Sequence, residues 1–169
     1  MKIGRIRTII LVTVIVALAV CLLPWPSRVN VTLPGTEVNS DNTVEKDITL
    51  SVEGWYLKHL LQQDQIKASV LIHDSETDTD TAINIDGPVF DTPVTELWCT
   101  APCYHAETNE FEVVGLAFGD AMDTFILKRS SEDSIYVAAP NVKEHLPKIL
   151  KRFSFFLTRS ALSILNCTF

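Results

Sequence analysis

Hydrophobic side chains follow three successive patterns along this chain. Residues Ile9 to Trp25 form a run of 17 without a charged side chain, which as a helix would extend roughly 25 Å at about 1.5 Å per residue. Lys2, Arg5 and Arg7 precede this run, and Arg28 follows it. The run predicts a membrane anchor with its N-terminus in the cytoplasm and everything after Arg28 outside.

Two other fates of this segment stay open. A cleaved signal peptide would need a small-residue cleavage site, and the stretch from Leu22 to Ser27 offers none. A lipid-anchored form would use Cys21, because Leu18 to Cys21 resembles a lipobox, although Val20 stands where a small residue is expected. The uncleaved anchor fits the segment best.

The second pattern is the two-residue alternation of half-buried strands. Apolar and polar side chains alternate from Ile48 to Val52 and again from Ile66 to Ile72. The alternation predicts a long strand over Ile48–Leu61, a turn at Gln62–Gln65 and a returning strand over Ile66–His73. Further short apolar runs bring the total to six or seven strands in about 95 residues, typical of a small antiparallel sandwich or barrel.

The third pattern has the period of a helix. Its apolar members fall on one side, and they are Leu146, Ile149, Leu150, Phe153, Leu157, Ala161 and Ile164. Proline is tolerated in a first helical turn, so Pro147 places the start of the helix near Glu144 to His145. The apolar stripe can pack on the sheet as core, or the helix can lie on the outer membrane surface. In the second case Lys148, Lys151, Arg152 and Arg159 would contact anionic headgroups.

The predicted fold class is therefore mainly β, a small antiparallel sandwich or barrel with a C-terminal amphipathic helix, preceded by one N-terminal transmembrane helix. Residues 1–28 form the basic start and the anchor. Residues 29–47 are polar, contain Pro34-Gly35, and predict a linker. Residues 48–140 form the extracytoplasmic β domain, and residues 141–169 form the helix and tail.

A resemblance to a known group of proteins supports this architecture. The order Val52, Gly54, Tyr56, Leu60, Leu61, Asp64, Ile66 resembles a hairpin pattern in uncharacterised small membrane-anchored β-rich proteins of Gram-positive bacteria. Those proteins also end their strand domain in an "AAP"-type strand before a helix, as Ala138-Ala139-Pro140 does here. The resemblance implies an anchored β domain and brings no functional residues with it.

The net charge of −7 is a sum over unlike parts. Residues 1–28 carry +4, residues 29–142 carry 5 basic and 20 acidic side chains, and residues 143–169 carry +4. A body this acidic excludes a general nucleic-acid binder, which needs a basic face.

Two motifs suggest chemistry. Cys99 and Cys103, with His105 nearby, are candidates for a disulfide in an exported domain, for unpaired loop cysteines or for part of a metal site; Cys167 is another candidate partner. The acidic stretch that contains Asp74, Glu76, Asp78 and Asp80 lacks the Gly and Glu positions of an EF-hand loop. It predicts a solvated hairpin end, with loose Ca²⁺ binding as the alternative.

The sequence contains no G-x-S-x-G elbow, no H-E-x-x-H helix and no glycine-rich phosphate loop, so we expect neither catalysis nor a cofactor. The leading hypothesis is a non-catalytic binding or interaction module at the cell membrane. Its expected partners are the lipid bilayer, through the N-terminal helix, and a membrane or cell-surface protein. The alternatives are an accessory or regulatory subunit of a membrane complex and an enzyme with an unrecognised site.

Overall fold

Two helices and eight strands are formed by the residues described in the computed structural model, which are 2–39, 41, 43–91, 96–105, 110–119, 121–131, 133–154 and 157. The side chains of 2–7, 96, 103–105, 110 and 111 are not included. The elements in chain order are α1 (Lys2–Leu22), β1 (Trp25–Val38), β2 (Val44–Lys58), β3 (Gln65–Asp74), β4 (Thr79–Asp91), β5 (Glu96–His105), β6 (Glu110–Gly119), β7 (Phe125–Arg129), β8 (Ile135–Ala138) and α2 (Val142–Arg152).

The strands form a closed antiparallel barrel in which each strand pairs with the next one along the chain. The barrel closes where Gly35–Val38 of β1 pair with β8. The mainly β antiparallel fold and the hairpin of β2 and β3 are thus confirmed. The architecture is a barrel and not a sandwich. The predicted β domain contributes seven strands, β2 to β8, which is the upper number expected, and the eighth strand, β1, lies in the stretch predicted as a linker. We call the end at which β1 begins and β2 ends the α1 end, and the opposite end, with turn 75–78, the far end.

The interior of the barrel is filled with side chains. Buried positions alternate with exposed ones along β3 and along Ile83–Val89 of β4, and with half-buried ones along Ile48–Val52 of β2. The sequence pattern predicts this alternation for β2 and β3. Eight strands enclose a space about wide enough for side chains to fill. The fully buried interior members include Leu50, Ile66, Ile83, Ile85, Leu116, Phe118 and Phe125. The barrel is therefore a packed body whose surfaces and ends are available for function.

A second apolar core lies outside the barrel, under α2. Leu146, Ile149 and Phe153 of the predicted helical stripe pack on the outer faces of β6, β7 and β8. The sheet-packing alternative for this helix is confirmed. The helix begins at Val142, two residues earlier than predicted, because the N–H groups of Glu144 and His145 already donate to the carbonyl of Asn141 at 3.1 and 3.3 Å.

The predicted polar linker over residues 29–47 is wrong. Most of it is β1, in which Val29 is 4% exposed and Val38 is fully buried. Pro34-Gly35 is not a turn but part of the strand, and Gly35 lies where a Cβ would come 2.8 Å from the Val137 carbonyl oxygen of β8. A turn-like dipeptide here serves the close approach of two strands at the closing seam.

The N-terminal segment forms α1, and its described apolar side chains are exposed along the helix. Within the described parts of the chain, none of the helices has the length and apolar character needed to cross a membrane.

Candidate functional site

A cleft of about 610 Å³ opens at the α1 end of the barrel. The loop between β2 and β3, residues 59–64, forms one wall, and the end of β4 with the start of β5 forms the other. The lining residues are Tyr56, Lys58, Gln62, Gln63, Asp64, Val89, Phe90, Asp91 and Leu97. Five of these nine lining residues are polar or charged, which is a larger share than small-ligand sites usually have and suits a polar ligand.

Asp64 holds the loop wall in place. Its Oδ1 accepts a hydrogen bond from the backbone N–H of His59 at 2.7 Å, and its Oδ2 accepts one from the Tyr56 hydroxyl at 2.5 Å. Its backbone carbonyl accepts from the N–H of Val89 at 2.8 Å. One residue therefore joins the loop, β2 and β4, and both walls of the cleft have a fixed spacing.

The floor of the cleft is sealed from the barrel interior by aromatic rings. Tyr56 meets Phe118 edge to face with ring centroids 6.3 Å apart, and Phe118 lies 6.1 Å from Phe125. Both phenylalanines are fully buried. A ligand in this cleft would therefore bind at the rim of the barrel and would not enter the interior.

The polar groups of the cleft are better suited to hydrogen bonding with a ligand than to catalysing a covalent reaction. Gln62 and Gln63 offer amide donors and acceptors, Lys58 offers an ammonium, and Asp91 offers a carboxylate. In the same loop, His59 Nδ1 is the one buried side-chain nitrogen or oxygen among the described residues without a hydrogen-bond partner. An unsatisfied buried nitrogen beside a cleft is a place where a bound molecule or water can supply a partner.

The acidic motif lies at the opposite, far end of the barrel, and its members have separate partners. Asp74 accepts the N–H groups of Glu76 and Thr77 at 2.8 and 3.3 Å, and it lies 3.4 Å from Lys46 Nζ. The Glu76 N–H holds the pKa of Asp74 below its ordinary value, and Asp74 raises the pKa of Lys46.

Two of the three remaining carboxylates of the motif, those of Asp78 and Asp80, face a histidine. Asp80 lies 2.8 Å from His73 Nδ1, and Asp78 lies 3.9 Å from His73 Nε2. In the described part of the chain, no three His, Cys, Asp or Glu side chains come together in a way that could hold a metal ion. The stretch is a hairpin turn, as the main prediction had it.

The two cysteines of the C-x-x-x-C motif lie on one strand. Cys99 and Cys103 are four positions apart along β5, which separates their α-carbons by about 13 Å, whereas a disulfide needs less than about 7 Å. Cys99 is a buried free thiol, so the candidate disulfide is not formed in this structure. The side chains of Cys103 and His105, and all of Cys167, lie outside the described residues.

A buried ion pair that the sequence did not predict lies near the far end. Arg129 Nε donates to both carboxylate oxygens of Glu112, at 3.1 and 3.2 Å, and the Ser131 hydroxyl donates to Glu112 Oε2 at 2.6 Å. Only 5% of the Glu112 side chain is exposed. The signal was present, because Glu112 shares the two-residue spacing of the buried Val114 and Leu116.

Comparison with protein-family models, with curated proteins and with solved structures finds no match for this chain. The resemblance to anchored proteins of Gram-positive bacteria therefore stays a prediction, and the geometry of the chain itself carries the argument about function.

Proposed function

We propose that this chain is a non-catalytic binding module held at a cell membrane by α1, with its N-terminus in the cytoplasm and its barrel outside. The observation that carries the proposal is the exposed apolar surface of α1. The large apolar side chains from Ile9 to Leu22 are between 46% and 64% exposed. Exposed apolar surface of this extent is unfavourable in water and favourable in lipid.

The apolar surface surrounds the whole helix. Between Ile9 and Leu22 the uncharged helix contains only Thr13 and Cys21 beside apolar residues, and the Thr13 hydroxyl donates to the Ile9 carbonyl at 2.9 Å. The hydroxyl therefore presents no unsatisfied donor to lipid. A helix that is apolar on all sides suits a lipid environment better than a docking groove on a single partner, which would need only one apolar face.

The described apolar part of α1 is shorter than a helix that crosses a membrane unaided, so the proposal requires a contribution from its flanks. Residues Ile9–Leu22 extend about 21 Å as a helix, whereas the hydrocarbon core of a bilayer is about 30 Å thick. The remaining distance would be covered by the flanking residues, with Trp25 lying at one interface, and by local thinning of the bilayer.

We assign the binding function to the cleft at the α1 end. Its walls are fixed by the three hydrogen bonds of Asp64, so a ligand would meet a preorganised surface. The amides of Gln62 and Gln63 beside Phe90 suit a small polar molecule with an apolar part. The Tyr56 hydroxyl and the Asp64 carboxylate already bond to each other, which supports binding over catalysis.

Membrane fractionation of the full chain tests the attachment. We expect the wild-type chain to stay in the membrane pellet after alkaline carbonate washing. Ile15→Glu, which places a charge in the middle of α1, should shift the chain to the supernatant. Leu71→Glu, on the exposed outer face of β3, is the matched control and should stay with the membrane. A wild-type chain recovered in the supernatant without detergent would contradict the proposal.

The alternative, a subunit of a membrane complex that makes its contact through α1, predicts a different result. Replacing Ile9–Leu22 with an unrelated apolar anchor should leave ligand binding unchanged if α1 only attaches the barrel. If ligand binding is lost on this replacement while the chain stays in the membrane fraction, the subunit of a membrane complex is favoured.

A further inference from the structure

We propose that the edge of the α1 end formed by the start of β1 and the tip of the β2–β3 loop rests on the lipid surface, with Trp25, Leu60 and Leu61 inserted at the membrane interface; none of these three residues lines the cleft, which opens beside them toward β4 and β5. This inference rests on the proposed attachment through α1 and adds a second lipid contact that fixes the orientation of the barrel. We call these three residues the rim contact.

The connection between α1 and the barrel keeps the rim contact close to the helix. The helix ends at Leu22 and β1 begins at Trp25, so two residues separate them. The N–H of Leu23 still donates to the Ala19 carbonyl at 3.0 Å, which continues the helical hydrogen bonding. From Leu22 to Trp25 the chain reaches at most about 11 Å, so a membrane-held α1 brings the start of β1 to the interface.

The β2–β3 loop is held at the same end as Trp25. Trp25 pairs with Lys58, the last residue of β2, and Leu60 and Leu61 follow within three residues. Leu60 is 60% exposed, Leu61 is 67% exposed and Trp25 is 57% exposed. Leu60 and Leu61 thus form a small exposed apolar patch at the tip of a loop that Asp64 holds in place.

The side of the barrel next to the rim contact has the composition of a membrane interface. Trp55 is 49% exposed on β2, and its cross-strand neighbours are Arg28 on β1 and Lys67 on β3. Tryptophan at headgroup depth beside basic side chains is a recurring feature of membrane interfaces. These two cations have acidic neighbours as well, since Arg28 lies 3.0 Å from Glu53 and Lys67 lies 2.9 Å from Asp86.

The distribution of charge favours the same orientation. The far end carries exposed carboxylates in its turns, among them Asp41, Glu76 and Asp78. An anionic leaflet repels these groups and therefore favours the orientation in which the α1 end faces lipid.

Depth-dependent fluorescence quenching tests the rim contact in the full chain. The chain is reconstituted into vesicles of four parts phosphatidylcholine to one part phosphatidylglycerol, with or without lipids brominated on their acyl chains. Trp25, Trp55 and Trp98 are replaced by Phe, and one tryptophan is then introduced as Leu61→Trp, Val16→Trp or Thr77→Trp. These positions report on the loop tip, on α1 and on the far end.

We expect brominated lipid to reduce the fluorescence of Val16→Trp and of Leu61→Trp at least about twofold, and to leave that of Thr77→Trp nearly unchanged. Quenching at Val16→Trp with none at Leu61→Trp would overturn the rim contact and leave the attachment standing. Absence of quenching at Val16→Trp would overturn the attachment itself.

A second measurement does not depend on removing Trp98, whose ring stacks on Phe90 at 4.7 Å. Hydrogen exchange of the wild-type chain is compared between detergent micelles and the same vesicles. The rim contact predicts slower exchange in vesicles for amides 59–63 and equal exchange for amides 75–78. If amides 59–63 exchange at the same rate in vesicles as in micelles, the rim contact is contradicted.

Discussion

At the scale of single residues, Gly54 shows how closely two strands of the barrel approach each other. A Cβ added at Gly54 would collide with the carbonyl oxygen of Lys67 and would lie 2.5 Å from Ala68 Cα, both backbone atoms of β3. We expect Gly54→Ala to lower the free energy of unfolding by more than about 2 kcal/mol, because backbone atoms cannot move aside cheaply. Urea denaturation measures this change. Gly119→Ala is the control, since its nearest contact would be the Asp123 carboxylate at 3.4 Å; equal losses would contradict the close approach.

Glu112 forms a largely buried ion pair with Arg129. We expect Glu112→Ala to lower the free energy of unfolding by about 3 kcal/mol, because it removes the Glu112 carboxylate from the largely buried Arg129 cation. Glu53→Ala removes a carboxylate from an exposed ion pair with Arg28 at a similar distance. That control should change stability by less than about 1 kcal/mol. A loss at Glu112 no larger than the loss at Glu53 would show that burial of the pair is unimportant.

Cys99 should make stability fall at alkaline pH. Burial raises the pKa of its thiol from an ordinary 9.0 to about 12. As the pH rises above 9, the thiol ionises in the unfolded chain while it stays protonated in the folded chain. Ionisation stabilises the unfolded state, so the free energy of unfolding falls as the pH rises from 9 toward 12. The Cys99→Ala variant has no thiol to ionise, so its free energy of unfolding should decline less between about pH 9 and about pH 11. Denaturation curves with parallel declines would contradict the buried thiol.

Residue-level chemistry was the part of the molecule least accessible to sequence reasoning. Cys99 and Cys103 look like a loop pair because a short spacing with Pro102 resembles a turn, yet the stretch continues as one strand. Glu112 and Arg129 are 17 positions apart, and only the pairing of β6 with β7 brings them together. The inward direction of each follows from the two-residue period, but the partner does not.

At the scale of elements, the strands differ according to what covers them. β3 alternates between buried and exposed side chains because its outer face meets water. All four residues of β8 are buried, because the interior covers one face and α2 covers the other. Because β3 has one face in the core and one in water, its alternation in the sequence predicted the hairpin of β2 and β3. The sequence of β7 and β8 showed only short apolar runs, because both faces of those strands are covered.

The packing of α2 on the barrel leads to a test at this scale. Phe153 is fully buried at the end of the apolar stripe, and we expect Phe153→Ala to lower the free energy of unfolding by about 3 to 5 kcal/mol. Lys148→Ala changes an exposed residue of the same helix and should be nearly neutral. If the Phe153 variant is as stable as the Lys148 variant, α2 does not contribute a core.

The misjudged element was β1. Its apolar side chains Val29, Val31 and Leu33 do alternate, but Pro34-Gly35 and the following polar residues outweighed that signal in the sequence. Gly35 is required because β8 passes so close that a Cβ would not fit. The requirement comes from the long-range pairing of β1 with β8, which the local sequence does not show.

At the scale of the whole molecule, charge and hydrophobicity are arranged along one direction. The basic N-terminus leads into an exposed apolar helix, and the helix leads into a barrel whose far end carries acidic turns. From its three charge segments the sequence predicted an acidic body between two basic ends, and it did not predict the position of the acidic turns at the far end. It could not predict that Trp25, Leu60 and Leu61 meet at one end, because their proximity depends on the register of β1 with β2.

We propose that α1 places the barrel on the opposite side of a membrane from the N-terminus. The most direct test fuses an enzyme that is active only outside the cytoplasm to the C-terminus in one strain and to the N-terminus in another. We expect activity for the C-terminal fusion and none for the N-terminal fusion, with both fusions in the membrane fraction at equal amounts. An inactive C-terminal fusion of normal abundance would contradict the proposal.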